Sequence, residues 1–510
     1  MTDLRGLGRL YSTFRPWHWL FVPLLAILAY LSVLQIGFLN DDFVLLMQGQ
    51  AAWDWREVLP RQDWFLYRPV GTLLIWRLEG QWWGFNPFPY HLQGLLFHAA
   101  TSLLLALWLA EATQKRALGL LAGATFAVFP LHLEAVGWVA AQWDALATLL
   151  GMASLYTFTI WWRRGMLWSY LLAVPLYAFA LFTKDSMLTF LPMFLLAAWL
   201  STPPMEIVKL RRLAFALIPF CVVLATNLSL RYIAWGNFGG YPDVPNDYAS
   251  FFWDSLLGYG RALLSPINSK VLGSATAQIV GLVSSVALLA GLIVYGRSQS
   301  RLVIASALWI VLALLPVLNL RIETGNLQQN RFLYLAATGY CALLAALLYA
   351  ALTGLRRWRA YALVGVAAVL LMSAIACWLQ LGAWRTATAQ VNSIEDELIR
   401  LIPPPLIARQ EQMTWYAQDS PREYKGACLV HLALGTYRYF RGAGDVPIVK
   451  EAEDAEAAPI QTGAKDSFAL RFSYSDTETR FHPDYLAGIT QGGPPPAAPR
   501  PRCARARAGR

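Results

Sequence analysis

The feature that most constrains this chain is a series of about eleven apolar runs. Most of them approach the roughly 20 residues that a helix needs to cross a bilayer. Only 14% of the residues are charged, whereas a soluble domain has roughly 25%. The sequence therefore predicts an all-α polytopic membrane protein with about 11 transmembrane helices. The apolar runs fall near 17–36, 90–110, 117–131, 137–161, 166–182, 186–200, 213–233, 274–295, 302–319, 332–353 and 360–381.

The loops between these runs alternate in charge. Every second loop is short and basic, and by the positive-inside rule these loops and the N-terminus are predicted to be cytoplasmic. The first run is too long for a cleaved signal and is predicted to be a signal anchor. The C-terminus then falls on the outer side, and the Ala-, Leu- and Trp-rich composition suggests a bacterial inner membrane. The basic residues of these loops are Arg5, Arg9, Arg15, Lys115, Arg116, Arg163, Arg164, Lys209, Arg211, Arg212, Arg297, Arg301, Arg356, Arg357 and Arg359.

Three segments are predicted along the chain. Residues 1–381 form a transmembrane domain whose first outer loop is 37–89. Residues 382–485 form a small outer α+β domain, in which the alternation over 467–476 predicts a strand. Residues 486–510 are low-complexity and are predicted to be disordered.

The first outer loop also predicts a helix that lies in the membrane interface. Phe43, Leu46, Met47 and Gln50 follow helical spacing, and the aromatic pair Trp53 and Trp55 comes shortly afterwards. An apolar face at this spacing is typical of an interfacial amphipathic helix.

Net charge and cysteine spacing exclude several classes of function. The net charge of +10 fits membrane topology and attraction to anionic lipid, so the bilayer is a predicted partner and nucleic acid is not. The five cysteines show no CxxC spacing, which predicts no metal cage or disulfide framework and leaves a Cys428–Cys503 bridge open.

Strongly polar residues gather on the predicted outer side, where they could converge on one cavity. A carboxylate there could take a proton from an acceptor hydroxyl, and a Lys or Arg could bind a departing phosphate. This combination suits a lipid-phosphate-linked substrate at a lipid–water boundary. The candidates are Asp41, Asp42, Tyr67, Arg68, His91, His98, His132, Glu134, Asp144, Lys184, Asp185, Glu323, Asn330 and Arg331.

Most of these residues also have a purely structural explanation. Asp41 and Asp42 could cap a helix after Asn40. His91 and His98 could be core residues, and His132 and Glu134 could form an interfacial cap at a Pro-led turn. Lys184 and Asp185 could form a neutral surface pair, and Arg68 and Arg331 could snorkel to headgroups. Asp144 is harder to explain in this way, because an acid inside an apolar helix needs a partner.

Six segments in order resemble a known family. They are "NDD", "YRPV", "YHLQGLLFH", "FAVFPLHLEAVGWVAAQWDALA", "LFTKDSMLTFLP" and "NRFLYLAATGY", between about residues 38 and 345. With these six segments in this order and at these predicted depths in the membrane, the chain resembles the GT-C fold glycosyltransferases that use polyprenyl-phosphate sugars. It looks closest to the protein O-mannosyltransferase and TMTC-like branch.

The resemblance implies a function and a set of roles. The chain would transfer a sugar, with inversion, from a polyprenyl-phosphate donor to a protein or glycan hydroxyl on the extracytoplasmic face. Asp41 or Asp42 would be the catalytic base, with Asp41 favoured, and Glu134 would assist the acceptor. Lys184, Arg331 and Arg68 would bind the donor phosphate, and the acceptor or sugar pocket would include His91, His132, Asp144 and Tyr67.

The chain departs from the family pattern at several points, two of them at candidate site residues. Lys184 is followed by Asp185 where the pattern often has Glu. Asn330 stands before Arg331 where the family usually has an acid, which leaves the partner of this Arg open. Tetratricopeptide repeats are not recognisable, so a protein acceptor is a weaker inference than sugar transfer.

Asp41 and Asp42 could hold Mg²⁺ or Mn²⁺, but no third ligand is evident, and metal dependence stays open. A transporter or flippase of a lipid-linked glycan is the alternative function, and a non-catalytic scaffold is a further one.

Overall fold

The computed structural model describes residues 16–50, 67–203, 210–236, 238, 248–318, 320, 322–401, 414–419, 423–425, 427–429, 448–451, 467–475 and 480–489. The chain divides into two compact units. The first unit comprises Met1–Gly37 and Gln48–Arg385, and the second comprises Phe38–Met47 and Thr386–Arg510. Trp53, Trp55, Cys503 and residues 490–510 lie outside the described residues, and so do the predictions that rest on them.

The described part of the chain is mostly helical. The helices are α1 (Phe21–Tyr30), α2 (Asp42–Gln50), α3 (Trp76–Trp83), α4 (Pro87–Thr113), α5 (Arg116–Ala127), α6 (Leu133–Gly137), α7 (Gln142–Arg164), α8 (Leu167–Thr183), α9 (Leu191–Ser201), α10 (Leu210–Trp235), α11 (Tyr248–Leu264), α12 (Ser269–Leu272), α13 (Ser274–Tyr295), α14 (Ser300–Leu314), α15 (Tyr334–Gly354) and α16 (Arg359–Leu401). A π-helix, Pro69–Ile75, precedes α3.

The helices indicate a multi-pass membrane protein. Seven helical stretches among the described residues are long and apolar enough to cross a membrane, or eight if the bent pair Arg116–Ala127 and Pro130–Gly137 is one span. The two helices Leu167–Thr183 and Leu191–Ser201 are apolar but shorter. The predicted apolar runs are therefore found as helices, but their number by this criterion is smaller, and the count of eleven spans stays a prediction.

Small residues let α4 and α5 pack closely. Gly119 and Gly123 are four residues apart on one face of α5, the spacing at which small residues allow membrane helices to approach. A Cβ at Gly123 would lie 2.7 Å from the carbonyl oxygen of Ser102. Larger side chains at this position would therefore force the two helices apart.

A break after α5 brings polar residues into the interior. Pro130 lacks a backbone N–H and disfavours a helical conformation at Phe129, whose ψ is 118°. The chain then forms short turns before α7 begins at Gln142. As a result, Glu134 and Asp144 are placed at helix starts and not within continuous apolar helices.

The second unit contains a mixed sheet. The order is β4-β1-β5-β6, in which β1 pairs in parallel with β4 and β5, and β5 and β6 are antiparallel. The alternation over 467–476 is confirmed as strand β5, and β6 reaches Ile489, just inside the segment predicted as a tail. The strands are β1 (Thr414–Gln418), β2 (Glu423–Tyr424), β3 (Ala427–Cys428), β4 (Ile448–Glu451), β5 (Ser467–Ser475) and β6 (Arg480–Ile489).

Candidate functional site

Asp144 and Lys184 form a buried ion pair in the first unit. Asp144 lies in the first turn of α7, and Lys184 directly follows α8. The Lys184 Nζ is 2.5 Å from the Asp144 Oδ2, and the two side chains are 6% and 4% exposed. The helix-embedded acid thus has the partner that burial of a charge requires.

Glu134 and Arg331 form a second pair. The Arg331 backbone N–H donates to the Glu134 Oε2 over 3.2 Å, and its guanidinium donates to the Oε1. The guanidinium also lies over the rings of Trp138 and Phe332, 5.0 and 4.5 Å from their centroids. A carboxylate and two aromatic faces therefore hold this guanidinium, and the Arg331 side chain remains 17% exposed.

Asp185 lies between two arginines. Arg68 donates to its Oδ2 from Nε and Nη2 over 2.8 and 2.5 Å, and Arg231 pairs with its Oδ1. Arg231 is buried and also donates to the Asn227 Oδ1 and the Tyr67 backbone oxygen. Burial raises the pKa of Asp185, but the two guanidiniums outweigh it and hold this pKa well below its usual range.

The two pairs and the Arg68–Asp185–Arg231 group are adjacent to one another. Lys184 and Asp185 are consecutive, and the Phe332 ring contacts both the Lys184 ammonium, at 5.7 Å, and the Arg331 guanidinium. We call this group the ion-pair cluster. Its members, all within the described part of the first unit, are Arg68, Glu134, Asp144, Lys184, Asp185, Arg231 and Arg331.

The predicted histidines lie in the packed interior of the same unit. The His91 Nε2 is 3.4 Å from the Gly37 oxygen. The His132 ring packs against Phe126 and Tyr334, with centroids 4.2 and 4.7 Å apart, and neither of its nitrogens has a hydrogen-bond partner among the described residues. His98 contacts the Tyr334 hydroxyl over 2.8 Å. These contacts resemble core packing, and the predicted pocket role of His91 and His132 stays a prediction.

Tyr67 contributes packing and a backbone contact. Its ring contacts Phe182 edge-on, with centroids 6.0 Å apart, and its backbone oxygen accepts from Arg231. Tyr67 therefore lies beside the Arg68–Asp185 pair, although its predicted pocket role is not tested by these contacts.

Asp41 and Asp42 belong to the second unit. Asp42 begins α2 and is buried, and its Oδ2 accepts from the Leu39 backbone N–H over 2.9 Å. Asn40 adopts a positive φ of 48° and donates its N–H to the Leu429 oxygen, which ties this turn to the C-terminal segment. Asp42 thus makes the first-turn contact of a helix start, whereas Asp41 is half-buried.

Sequence reasoning missed two charged residues of the first unit, Arg231 and Glu79. Arg231 lies in the apolar run 213–233, so the argument applied to Asp144, that a charge in such a run needs a partner, could have found it. Glu79 is buried and accepts from Gln93 and Gln142. It lies in the predicted first outer loop, 37–89, where an acid is expected to be exposed to water. The sequence alone therefore offers no reason to expect a buried carboxyl at this position.

No group of three or more His, Cys, Asp or Glu side chains that could hold a metal ion occurs within the described residues. The residues predicted as metal ligands, Asp41 and Asp42, supply two neighbouring carboxyls, one of which is engaged with the backbone.

No family model matches the chain, and no curated protein matches it. Among solved structures, the chain is similar to the crystal structure of the Archaeoglobus fulgidus oligosaccharyltransferase in complex with Zn and sulfate. The match has 11% identity and a TM-score of 0.48, and covers 92% of this chain and 72% of that chain. A likeness at this level does not show a shared family.

Proposed function

We propose that this chain is an integral-membrane glycosyltransferase of the GT-C type that uses a polyprenyl-phosphate-linked sugar as donor. The observation that carries the proposal is the origin of the ion-pair cluster. Six of its seven residues come from four of the segments that carry the family resemblance, and only Arg231 does not. Segments separated by up to about 260 residues thus supply charges to one place, which is expected if they share one chemical task.

Arg331 is the cation best presented to a donor phosphate. Its side chain is 17% exposed, whereas the Lys184 side chain is 6% exposed and bound to Asp144. Arg331 would bind the phosphate through the planar guanidinium, and Lys184 and Arg68 would add positive charge behind it. The leaving phosphate would therefore be stabilised as it departs.

Glu134 acquires a role beside the one that the resemblance implies. Its carboxylate binds both the backbone N–H and the guanidinium of Arg331. We therefore propose that Glu134 orients Arg331, in addition to assisting the acceptor. This pairing also supplies the acid that is absent at Asn330.

The proposed reaction is a single displacement. The acceptor hydroxyl oxygen forms a bond to the anomeric carbon while the bond from that carbon to the phosphate oxygen breaks. The configuration at the anomeric carbon is therefore inverted. The hydroxyl proton passes to a carboxylate, for which Asp41 is proposed on the resemblance alone. The acceptor, a protein or a glycan, and the extracytoplasmic face are likewise proposals from the resemblance and from loop charge.

Sugar transfer in detergent micelles tests this function. Purified protein would be given a radiolabelled polyprenyl-phosphate sugar, and sugar release or transfer would be measured with and without EDTA. Arg331→Ala is expected to lower kcat/KM about 10–100-fold, the equivalent of the roughly 1.5–3 kcal/mol of a hydrogen bond to a charged group. Arg301→Ala is the matched control, because Arg301 also lies over a Trp ring but binds backbone oxygens at Trp199 and Thr202.

The alternative function, a flippase for a lipid-linked glycan, gives a different outcome in the same assay. A flippase needs a sealed bilayer to show activity, whereas a transferase works in micelles. Transport in vesicles without any transfer in micelles would favour the flippase and would exclude the proposed reaction.

A further inference from the structure

Glu79 is a buried carboxyl that lies outside the ion-pair cluster. It lies on α3 and is 2% exposed. Its Oε1 accepts from the Gln93 side-chain amide, and the Gln142 Nε2 donates to its Oε1 and Oε2 over 3.3 and 3.1 Å. Among the described residues no cation pairs with it, unlike the carboxyls of the ion-pair cluster.

The surroundings of Glu79 favour its protonated form. Burial raises its pKa to about 8, and the hydrogen bonds from Gln93 and Gln142 counteract only part of this shift. The groups that face it from α4 and α7 are these two neutral amides, and Gly49, which contacts Gly80, brings only backbone. Arg77 is the other charged residue of α3, and the π-helix before it has no titratable side chain.

Protonation would also complete the hydrogen bonding of Gln142. The Gln142 Oε1 is buried and has no partner among the described residues. A protonated Glu79 can donate its O–H to this amide oxygen if the amide rotates, while the amide N–H donates back to the acid. A carboxylate has no proton to donate and cannot form this paired arrangement.

The Glu79–Gln142 contact anchors the start of α7. The preceding residue, Ala141, makes no side-chain cap, so the amide of Gln142 is a polar attachment at this end, beside the Asp144–Lys184 pair. Asp144 follows two residues later, and Trp143 lies between them. The Trp143 ring contacts Trp76 of α3, with centroids 5.7 Å apart.

The start of α7 also packs against the π-helix that follows Arg68, another member of the ion-pair cluster. The π-helix begins immediately after Arg68, and a Cβ at Gly71 would lie 3.4 Å from the Trp143 ring. Fixing Gln142 against Glu79 therefore fixes the start of α7, which carries Asp144, against the segment that carries Arg68. A π-helical turn at such a place is often functional.

We propose that protonated Glu79 is a positioning residue that holds Gln142 and so places the Asp144–Lys184 pair for the proposed sugar transfer. Loss of this proton releases the start of α7 and lowers activity on the alkaline side. The catalytic consequence rests on the proposed function, whereas the effect on α7 does not.

The test compares wild type with Glu79→Gln and Glu79→Ala. Glu79→Gln cannot ionise but keeps a hydrogen-bonding amide, so it is expected to stay active and to lack the alkaline loss that is expected of the wild type near pH 8. Glu79→Ala removes the attachment and is expected to lower kcat about 100-fold at all pH values, with little change in KM, because misplacement of site groups slows the chemistry. Identical pH profiles for wild type and Glu79→Gln would overturn the proposal.

Two readouts do not depend on sugar transfer. Infrared spectroscopy should show a protonated-carboxyl band that disappears near pH 8 in the wild type and is missing in Glu79→Gln. Glu111→Gln, which removes a carboxyl paired with two arginines, is the matched control and should leave the band unchanged. Hydrogen exchange at the start of α7, corrected for its intrinsic pH dependence, should rise above this pH in the wild type and not in Glu79→Gln.

These outcomes separate the two proposals. If the wild type transfers no sugar at any pH, the proposed function fails, and the exchange at α7 still decides whether Glu79 holds this helix. If the infrared band does not titrate, or if exchange at the start of α7 above about pH 8 is the same in wild type and Glu79→Gln, the positioning role is wrong even when sugar transfer is found.

Discussion

Helix α7 carries a charge pair at each end, and the two pairs differ in burial. At its start Asp144 pairs with Lys184, and both side chains are less than a tenth exposed. At its end Arg163 and Arg164 pair with Glu111 of α4, and the Arg164 side chain is 56% exposed. An acid at the start of a helix and bases at its end both interact favourably with the helix dipole. The dipole therefore does not explain why the two pairs differ in burial.

The two ion pairs of α7 are expected to have different roles because they differ in burial. At the end of α7, Arg164 stays well exposed, so little desolvation is needed on its side of the pair, and such a pair contributes little. A buried pair is expensive to desolvate and is weak evidence for stability, so its presence needs another explanation. We infer that the buried Asp144–Lys184 pair at the start of α7 serves the proposed function. The basic residues at the end of α7, Arg163 and Arg164, are instead expected to set the orientation of this helix in the membrane.

The largest effect is expected from Lys184→Met. It leaves the Asp144 carboxylate buried without its cation, which should destabilise the protein by about 3–5 kcal/mol. Chemical unfolding in detergent measures this change. The double variant Lys184→Met with Asp144→Asn should recover part of the loss, and a single variant as stable as the wild type would contradict the contrast.

A smaller effect is expected from Asp185→Asn, because this carboxyl is 23% exposed. The variant leaves Arg68 and Arg231 facing each other and should lose roughly 1.5–3 kcal/mol, the value of hydrogen bonds to charged groups. The measurement is the same unfolding experiment at neutral pH.

The pH dependence of Asp185 has a defined sign. Because its folded-state pKa is depressed, its contribution to stability is present above its ordinary value of 3.8 and is lost as the pH falls toward the folded-state pKa. Wild-type stability should therefore decline with acid more steeply than that of Asp185→Asn. Parallel acid profiles for the two proteins would show that the two arginines do not depress this pKa.

The smallest effect is expected from Arg164→Ala. The Arg164 side chain is 56% exposed and Glu111 keeps Arg163 as a second partner, so the loss should be about 0–1 kcal/mol and should shrink further in high salt. A loss as large as that of Lys184→Met would remove the distinction between the two ends of α7.

Much of the fold could be predicted from the sequence. Hydrophobic length located the helices, because a bilayer imposes one requirement on every span. It could not give the number of spans, since the break at Pro130 and the short helices α8 and α9 depend on how neighbours pack. The period-two alternation found strand β5 for a similar local reason.

The sequence singled out six of the seven members of the ion-pair cluster, all except Arg231, but not the pairs that they form. Asp144 was expected to need a partner, but residue type alone could not choose Lys184 over other cations. The partner of Arg331 was open, because Glu134 is almost 200 residues away in the chain. Such pairings are tertiary facts, and the relation of Asp41 to these residues remains a prediction.

The most direct test of the central claim is the affinity of the purified protein for a polyprenyl phosphate. Titrations in micelles would compare wild type, Arg331→Ala and Arg301→Ala at the same salt concentration. We expect Arg331→Ala to bind about 10–100-fold more weakly, in line with the loss of a charge-assisted hydrogen bond, and Arg301→Ala to bind like the wild type. Equal affinities for all three proteins would contradict the claim that the ion-pair cluster binds the donor phosphate.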